Sequence, residues 1–214
     1  MALKPRVVKY DEARFPWAAK FTRLFGDLTQ VHRERNYPFF TRETDQQTAY
    51  HKAFYDLART AAFETMYTEF VHAVVEQHMG PIEHGDVYQR IPTFRVQLPS
   101  NVAVGEFHRD SDYGHDPHEI NLWVPITPVF RESAVWIEDP DGVSYTPWPC
   151  QPGQVLIFDG AGTKHGNVPN LSGFTRVSFD FRIMSHMFYQ ESERRSINSK
   201  MRFVKGDFWN EFTC

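Results

Sequence analysis

Residues 107–123 read FHRDSDYGHDPHEINLW, with nine His, Asp, Glu, Arg or Asn side chains in seventeen positions. His108 and Asp110 stand two apart in this stretch. Side chains at i and i+2 of an extended segment share one face, so an imidazole and a carboxylate can converge there on one point. A third ligand has to come from another strand. His165 is the best placed, following the apolar run QVLIFD and the Gly-rich turn GAGTK. Two neutral imidazoles and one carboxylate leave other metal positions open, an arrangement suited to Fe(II) oxygenase chemistry. Each part alone is ordinary: a His-x-Asp pair is more often a surface pair, and a lone His more often structural.

A second constellation changes that balance. In TRVSFDFRI, the residues Arg176, Ser178, Asp180 and Arg182 alternate with Val177, Phe179, Phe181 and Ile183. One face of this strand is polar and the other wholly apolar. A buried arginine needs a partner, because an unpaired buried charge is costly. Arg176 either pairs with a nearby carboxylate or takes the far carboxylate of a bound diacid. In the second case the planar guanidinium forms two parallel hydrogen bonds and Ser178 adds a third.

The elements that must position these groups divide at Gly80-Pro81. Before it, the spacing predicts a helix over Trp17–Leu28 and a long one from Asp45 to Met79. The second would be capped by Thr44 with Gln47, and would bury a stripe of Phe54, Leu57, Ala58, Ala61, Ala62, Thr65, Met66, Phe70, Val71 and Val74. From Thr93 onward the apolar period becomes two. TFRVQL, FHRD, INLWVPI, SAVWIE, QVLIFD and TRVSFDFRI are strand candidates, separated by turns such as PSN, EDPDG and PGQ. Many short, evenly spaced strands predict a double-sheet jelly roll over residues 93–183, with the helices of residues 1–80 on the outside of one sheet. The tail, 184–214, reads as a lid or an edge covering.

The bulk numbers fit one domain. The chain has 214 residues, 41% of them apolar, and a formal net charge of −4. Without a basic excess, a nucleic-acid partner is disfavoured. No run approaches the ~18 apolar residues of a membrane span, and the N-terminus lacks a signal-peptide core. Cys150 and Cys214 imply no disulfide framework, so a cytoplasmic location is expected.

HRD at 108–110, the distal His165 and Arg-x-Ser at 176–178 resemble the Fe(II)/2-oxoglutarate-dependent dioxygenases. The longer strings GEFHRDSDYGHDPHEINLWVPIT, FDGAGTKHGN and TRVSFDFR look like the small branch typified by the streptomycin-biosynthesis oxygenase. The resemblance covers roughly residues 93–183. It implies a double-stranded β-helix, Fe(II) as the metal, and 2-oxoglutarate and O2 as co-substrates. It also implies His108, Asp110 and His165 as iron ligands, with Arg176 and Ser178 on the distal carboxylate of 2-oxoglutarate. The implied reaction hydroxylates a C–H bond of a small polar metabolite and releases succinate and carbon dioxide. Family halogenases replace the carboxylate ligand with a small residue, so Asp110 disfavours halogenation.

The remaining candidates each have two readings. Asn121, disfavoured in a strand by propensity, bonds either to 2-oxoglutarate or to a neighbouring loop. Arg95 and Gln97 share a face and serve either substrate or an inter-strand pair. Asp112 and Tyr113 are candidates for the pocket mouth. Arg182 pairs with Asp180 or reaches the substrate. His115 and His118 are expected to be solvated, and Asp159 to stabilise the GAG turn. Two further classes stay open: a cupin-like metal enzyme that does not use 2-oxoglutarate, and a non-catalytic jelly-roll carbohydrate-binding module.

Overall fold

The computed structural model describes residues 3–34, 48–102, 106–197 and 199–212. Its helices are α1 (Trp17–Phe25), α2 (Val31–Glu34), α3 (Ala49–Ala58) and α4 (Ala61–His78). Helix α1 stops earlier than expected, at Gly26 with φ 76°. Leu28 instead begins a short 3-10 turn, whose first N–H groups are met by the Asp27 side chain accepting from Thr29 N. The single long helix expected over Asp45–Met79 is two. The Thr44–Gln47 capping box lies outside the described residues. The observed caps are Thr48, accepting from His51 N, and Thr60, accepting from Phe63 N. The restart at Thr60 rotates the buried face: α4 buries Phe63, Tyr67, Phe70, Val71, Val74 and Val75. Ala61, Ala62 and Thr65, expected in the apolar stripe, are exposed. A capping residue inside an apolar pattern breaks its phase as well as its helix.

The strands are β1 (Arg6–Lys9), β2 (Val87–Gln89), β3 (Thr93–Gln97), β4 (Ile120–Pro125), β5 (Val135–Glu138), β6 (Tyr145–Trp148), β7 (Gln154–Phe158), β8 (His165–Gly166), β9 (Arg176–Met184), β10 (Ser192–Arg195), β11 (Arg202–Phe203) and β12 (Trp209–Glu211). The large sheet runs β1-β7-β4-β9-β2-β12, with β3 also paired to β9; the small one runs β6-β5-β8. All these pairings are antiparallel. Strands β1, β2 and β12 thus extend the sheet beyond residues 93–183, and the tail covers an edge by pairing β12 with β2. FHRD, expected as a strand, contributes only a bridge at His108 before a 3-10 turn over Asp110–Tyr113.

Alternation in the large sheet makes three layers. Phe94, Val96, Leu122, Val124, Val155, Ile157, Val177, Phe179 and Phe181 join the buried helix residues in one core. The opposite face sends Trp123, Leu156 and Phe158 into a second cluster with Val135, Ile137 and Cys150 of the small-sheet side. Between these layers, the inner face of β3 and β9 is left polar. The large and small sheets are separate ladders, as is a third formed by β10 and β11; the second cluster joins side chains of the first two. No helix among the described residues is long and apolar enough to cross a membrane.

Phe54 is fully buried and stacks on Phe94 with ring centroids 4.4 Å apart. Phe54→Ala is expected to cost ~3–5 kcal/mol in chemical denaturation; a loss under about 0.5 kcal/mol would mean the helix layer is not packed as described. His51 is also fully buried, with Nδ1 2.7 Å from Thr48 Oγ1. Burial, reinforced by the nearby Arg95, pushes its imidazole down to about 3 from 6.5. The unfolded chain therefore binds this proton more tightly, and stability falls as pH drops through 6.5 toward 3. Between pH 7 and pH 5 the wild type should lose about 2 kcal/mol that His51→Gln does not lose, at ~1.4 kcal/mol per pH unit below the unfolded value. Equal pH dependence of the two proteins would contradict this.

Candidate metal centre

The backbone brings the two histidines together. His108 N donates to His165 O (3.0 Å) and His165 N to His108 O (2.9 Å), a two-residue antiparallel bridge. Asp110 N donates to Gly160 O (2.9 Å), and Ser111 Oγ to Ala161 O (2.7 Å). Arg109 Nε donates to Gly162 O (2.9 Å), so the 108–111 segment is laced along the whole GAG turn, which Asp159 closes by accepting from Gly162 N (2.7 Å). The expected i, i+2 alternation is not the cause of convergence, because Asp110 begins a 3-10 turn.

One ligand atom from each of His108, Asp110 and His165 lies within 4.8 Å of the others. Asp110 Oδ1 is 3.4 Å from His108 Nε2 and 3.7 Å from His165 Nε2. His108 Nδ1 lies 2.7 Å from Glu106 O and His165 Nδ1 3.2 Å from Thr163 O. A carbonyl can only accept, so each Nδ1 carries the proton and each Nε2 offers its lone pair inward.

The charge states fit a divalent cation. Burial pushes the Asp110 carboxyl up, but the Arg182 guanidinium, with the neighbouring His108 and His165, holds it well below the usual range. Burial pushes His165 down, and His108 adds to this against the pull of Asp110. An ionised carboxylate beside a neutral imidazole is the state that metal binding requires.

The same pocket is walled by β3 and β9. Register sets Arg95 opposite Ser178 and Gln97 opposite Arg176. Arg176 is 2% exposed; it donates from Nη1 to Ser178 Oγ and from Nη2 to Gln97 Oε1, both at 3.0 Å, and its guanidinium carbon lies 5.4 Å from the Trp123 ring centroid. Gln97 also donates to Asn101 O and Val168 O. Arg95 donates to Asp180 Oδ1 at 3.0 Å. Arg182 reaches past Asp180 (3.5 Å) to Asp110 Oδ2, at 2.7 Å from Nη2 and 3.1 Å from Nε. Asn121 donates to the same Oδ2 at 2.8 Å, so its observed partner is the Asp110 carboxylate. Tyr113 lies beside the His108 ring at 5.0 Å, whereas exposed Asp112 caps the turn by accepting from Arg109 N.

Two histidines differ in fate. His118 is exposed as expected, stacked on Phe188 at 4.0 Å. His115, expected to be solvated, has a side chain only 8% exposed. It pairs with Glu119 at 2.7 Å and packs on Phe203 and Phe208 of the tail. Glu119 is a buried carboxylate with no separate signal in the sequence beyond its i, i+4 spacing from His115. A larger cavity of about 480 Å³ lies between α3, the turn linking β2 to β3, and the tail. Gln89 and Thr93 line it, and Gln89 Oε1 accepts from Arg182 Nη1 at 3.2 Å.

No family model matches the chain. The streptomycin biosynthesis protein StrG of Streptomyces griseus is 37% identical over 204 residues, spanning 95% of this chain and 96% of that protein. Among solved structures, the non-heme alpha ketoglutarate dependent carbocyclase SnoK from nogalamycin biosynthesis matches with a TM-score of 0.61 at 13% identity, over 98% of this chain and 92% of that one. EvdO2 from Micromonospora carbonacea var. aurantiaca, solved with 2-oxoglutarate, matches with a TM-score of 0.51 at 15% identity, over 85% and 86% of the two chains. At such identities these two structures share the fold with this chain.

Alanine at His108, Asp110 or His165 should each weaken Fe(II) binding by more than the ~10–100-fold that loss of an outer partner costs a metal site. Anaerobic calorimetric titration of the apo-protein measures this. Wild-type affinity in His165→Ala would remove that residue from the centre.

Proposed function

This chain belongs to the family of the streptomycin biosynthesis protein StrG, and on that footing we propose that it is an Fe(II)- and 2-oxoglutarate-dependent oxygenase of specialised metabolism. It hydroxylates a C–H bond of a small polar metabolite, using O2 and releasing succinate and carbon dioxide. The facing sheets are the two halves of a double-stranded β-helix. One observation carries the reading: His108, Asp110 and His165 line the same pocket as Arg176. A metal triad alone fits many reactions. A triad facing an arginine 2% exposed on the opposite wall fits a metal with a bidentate keto acid whose far end is anionic.

In this reading His108 and His165 hold the metal through Nε2 and Asp110 through Oδ1. The bound iron supplies O2 activation coupled to oxidative decarboxylation. The protein's own residues orient, neutralise and exclude water. Gln97 and Ser178 fix the Arg176 plane, and a planar guanidinium can take a carboxylate in two parallel bonds. Ser178 accepts from Arg176, so its O–H is left to donate to the same carboxylate. Trp123 packs behind the guanidinium and keeps that end dry, which strengthens the charge-assisted contact. The pocket that holds the triad and Arg176 is also lined by Arg95, Asn167 and Asp180, polar groups that suit a metabolite with hydroxyl, amine or carboxylate groups.

Removing one partner of a buried charge pair costs ~3–5 kcal/mol, and each ~1.4 kcal/mol is tenfold in affinity. Arg176→Ala should therefore weaken 2-oxoglutarate binding to the anaerobic Fe(II) protein by about 100-fold or more. Arg176→Lys should recover part of the loss, and Ser178→Ala should cost less than either. Iron affinity should be unchanged in all three. The readout is the metal-to-ligand charge-transfer band during titration. Wild-type iron binding without 2-oxoglutarate binding would favour a cupin-like metal enzyme instead, and no metal binding would favour a non-catalytic jelly-roll module.

A further inference from the structure

We infer that Arg182 and Asn121 are positioning residues that decide which oxygen of Asp110 faces the metal, an inference that rests on the metal reading above. Oδ2 receives Arg182 Nη2 at 2.7 Å, Arg182 Nε at 3.1 Å and Asn121 Nδ2 at 2.8 Å. Three N–H donors converge on that one oxygen. Oδ1 is the atom turned toward His108 Nε2 and His165 Nε2. The carboxylate thus presents one face to its clamp and the other to the centre.

Both halves of the clamp are themselves held. The Arg182 side chain is 7% exposed, with Gln89 Oε1 at 3.2 Å, Asp180 Oδ2 at 3.5 Å and Glu119 Oε2 at 3.6 Å around it. Glu119 is fixed in turn by His115 Nδ1 and by Asp116 N at 2.9 Å. Asn121 sits on β4 between β7 and β9, opposite Phe158 on one side and Arg182 on the other. Its amide presses against Gly160, where a Cβ would lie 2.5 Å from Nδ2. Only a residue without a side chain leaves Asn121 room to reach Asp110.

The consequence is a count of coordination positions. An octahedral ion bound by two imidazoles and one carboxylate oxygen keeps three positions open. A bidentate keto acid and O2 use three. A carboxylate free to turn could take a second position and displace the keto acid, while binding the metal at least as well. The clamp therefore acts on co-substrate binding rather than on metal retention.

Co(II) is the probe, because its absorption reports coordination without O2 chemistry. Wild type, Asn121→Ala, Arg182→Lys and Gly160→Ala are compared for thermal unfolding of the apo-protein, Co(II) affinity, the Co(II) spectrum, and 2-oxoglutarate affinity of the Co(II) form. Asn121→Ala and Arg182→Lys are expected to hold Co(II) about as tightly as wild type but with an altered spectrum before co-substrate is added. They should bind 2-oxoglutarate about 10–100-fold more weakly, the size of effect that losing an outer partner has at metal sites, here felt by the co-substrate because the turned carboxylate gives the metal a second oxygen in exchange for the lost support. Gly160→Ala should reproduce the pattern by pushing Asn121 off Asp110. Arg176→Ala should lose 2-oxoglutarate affinity with an unchanged Co(II) spectrum. If Arg182→Lys does not fold, Asn121→Ala and Gly160→Ala decide. A parallel fall in both affinities, or no change in either, overturns the clamp. Absence of Co(II) binding in the wild type overturns the metal reading itself.

Discussion

A carboxylate buried as deeply as Asp110, 5% exposed at its side chain, stays ionised only where cations and donors replace the water it has lost. Here Arg182 and Asn121 take one oxygen, and two imidazoles face the other. The rest of the pocket depends on that anion. It pulls Arg182 into the interior, and Arg182 is reached in turn by Asp180 and Glu119. Asp180 accepts from Arg95, and Arg176 lies further along β9. Three carboxylates and three guanidiniums therefore share this wall. On the proposed reading, a divalent metal would add two positive charges and 2-oxoglutarate two negative ones, so binding both would leave the charge balance of this wall unchanged.

The fold's contribution is to make such a polar wall affordable. Strand β9 is buried at every position, which alternation turns into a wholly apolar outer face and, from Arg176 to Arg182, a charged or hydroxyl inner one. The outer face is sealed by an aromatic layer: Trp17 meets Phe179 edge-on at 5.3 Å, and Tyr67 meets Phe181 at 5.6 Å. Apolar burial there offsets the cost of ordering the strand that presents Arg176 and Arg182. The tail reaches the same centre from the other side. Phe203 and Phe208 pack on His115, which holds Glu119, which faces Arg182.

Much of this was legible in sequence, for physical reasons that vary by element. Period-two alternation marked β3, β4, β5, β7 and β9 because each has one face on a core. It missed β1, whose residues are only partly buried, and β6, where Pro147 interrupts the pattern. The triad was legible as residue types, but its convergence comes from the His108–His165 bridge and the Gly160 carbonyl, which are tertiary contacts. The helix break was hidden because Arg59 and Thr60 are unremarkable inside an apolar stripe. The burial of His115 is not legible, because its Gly and Pro neighbours suggest a solvated loop. The aromatic pair that buries it lies some ninety residues away in a tail with no readable motif.

The position of a bound metal is the most direct test of this centre. Crystals grown anaerobically with Fe(II), measured on both sides of the iron absorption edge, give that position from anomalous differences alone. One strong peak is expected, bounded by His108 Nε2, Asp110 Oδ1 and His165 Nε2, with Oδ2 still held by Arg182 and Asn121. A peak elsewhere, a peak bound through Oδ2, or no peak at this centre would contradict it.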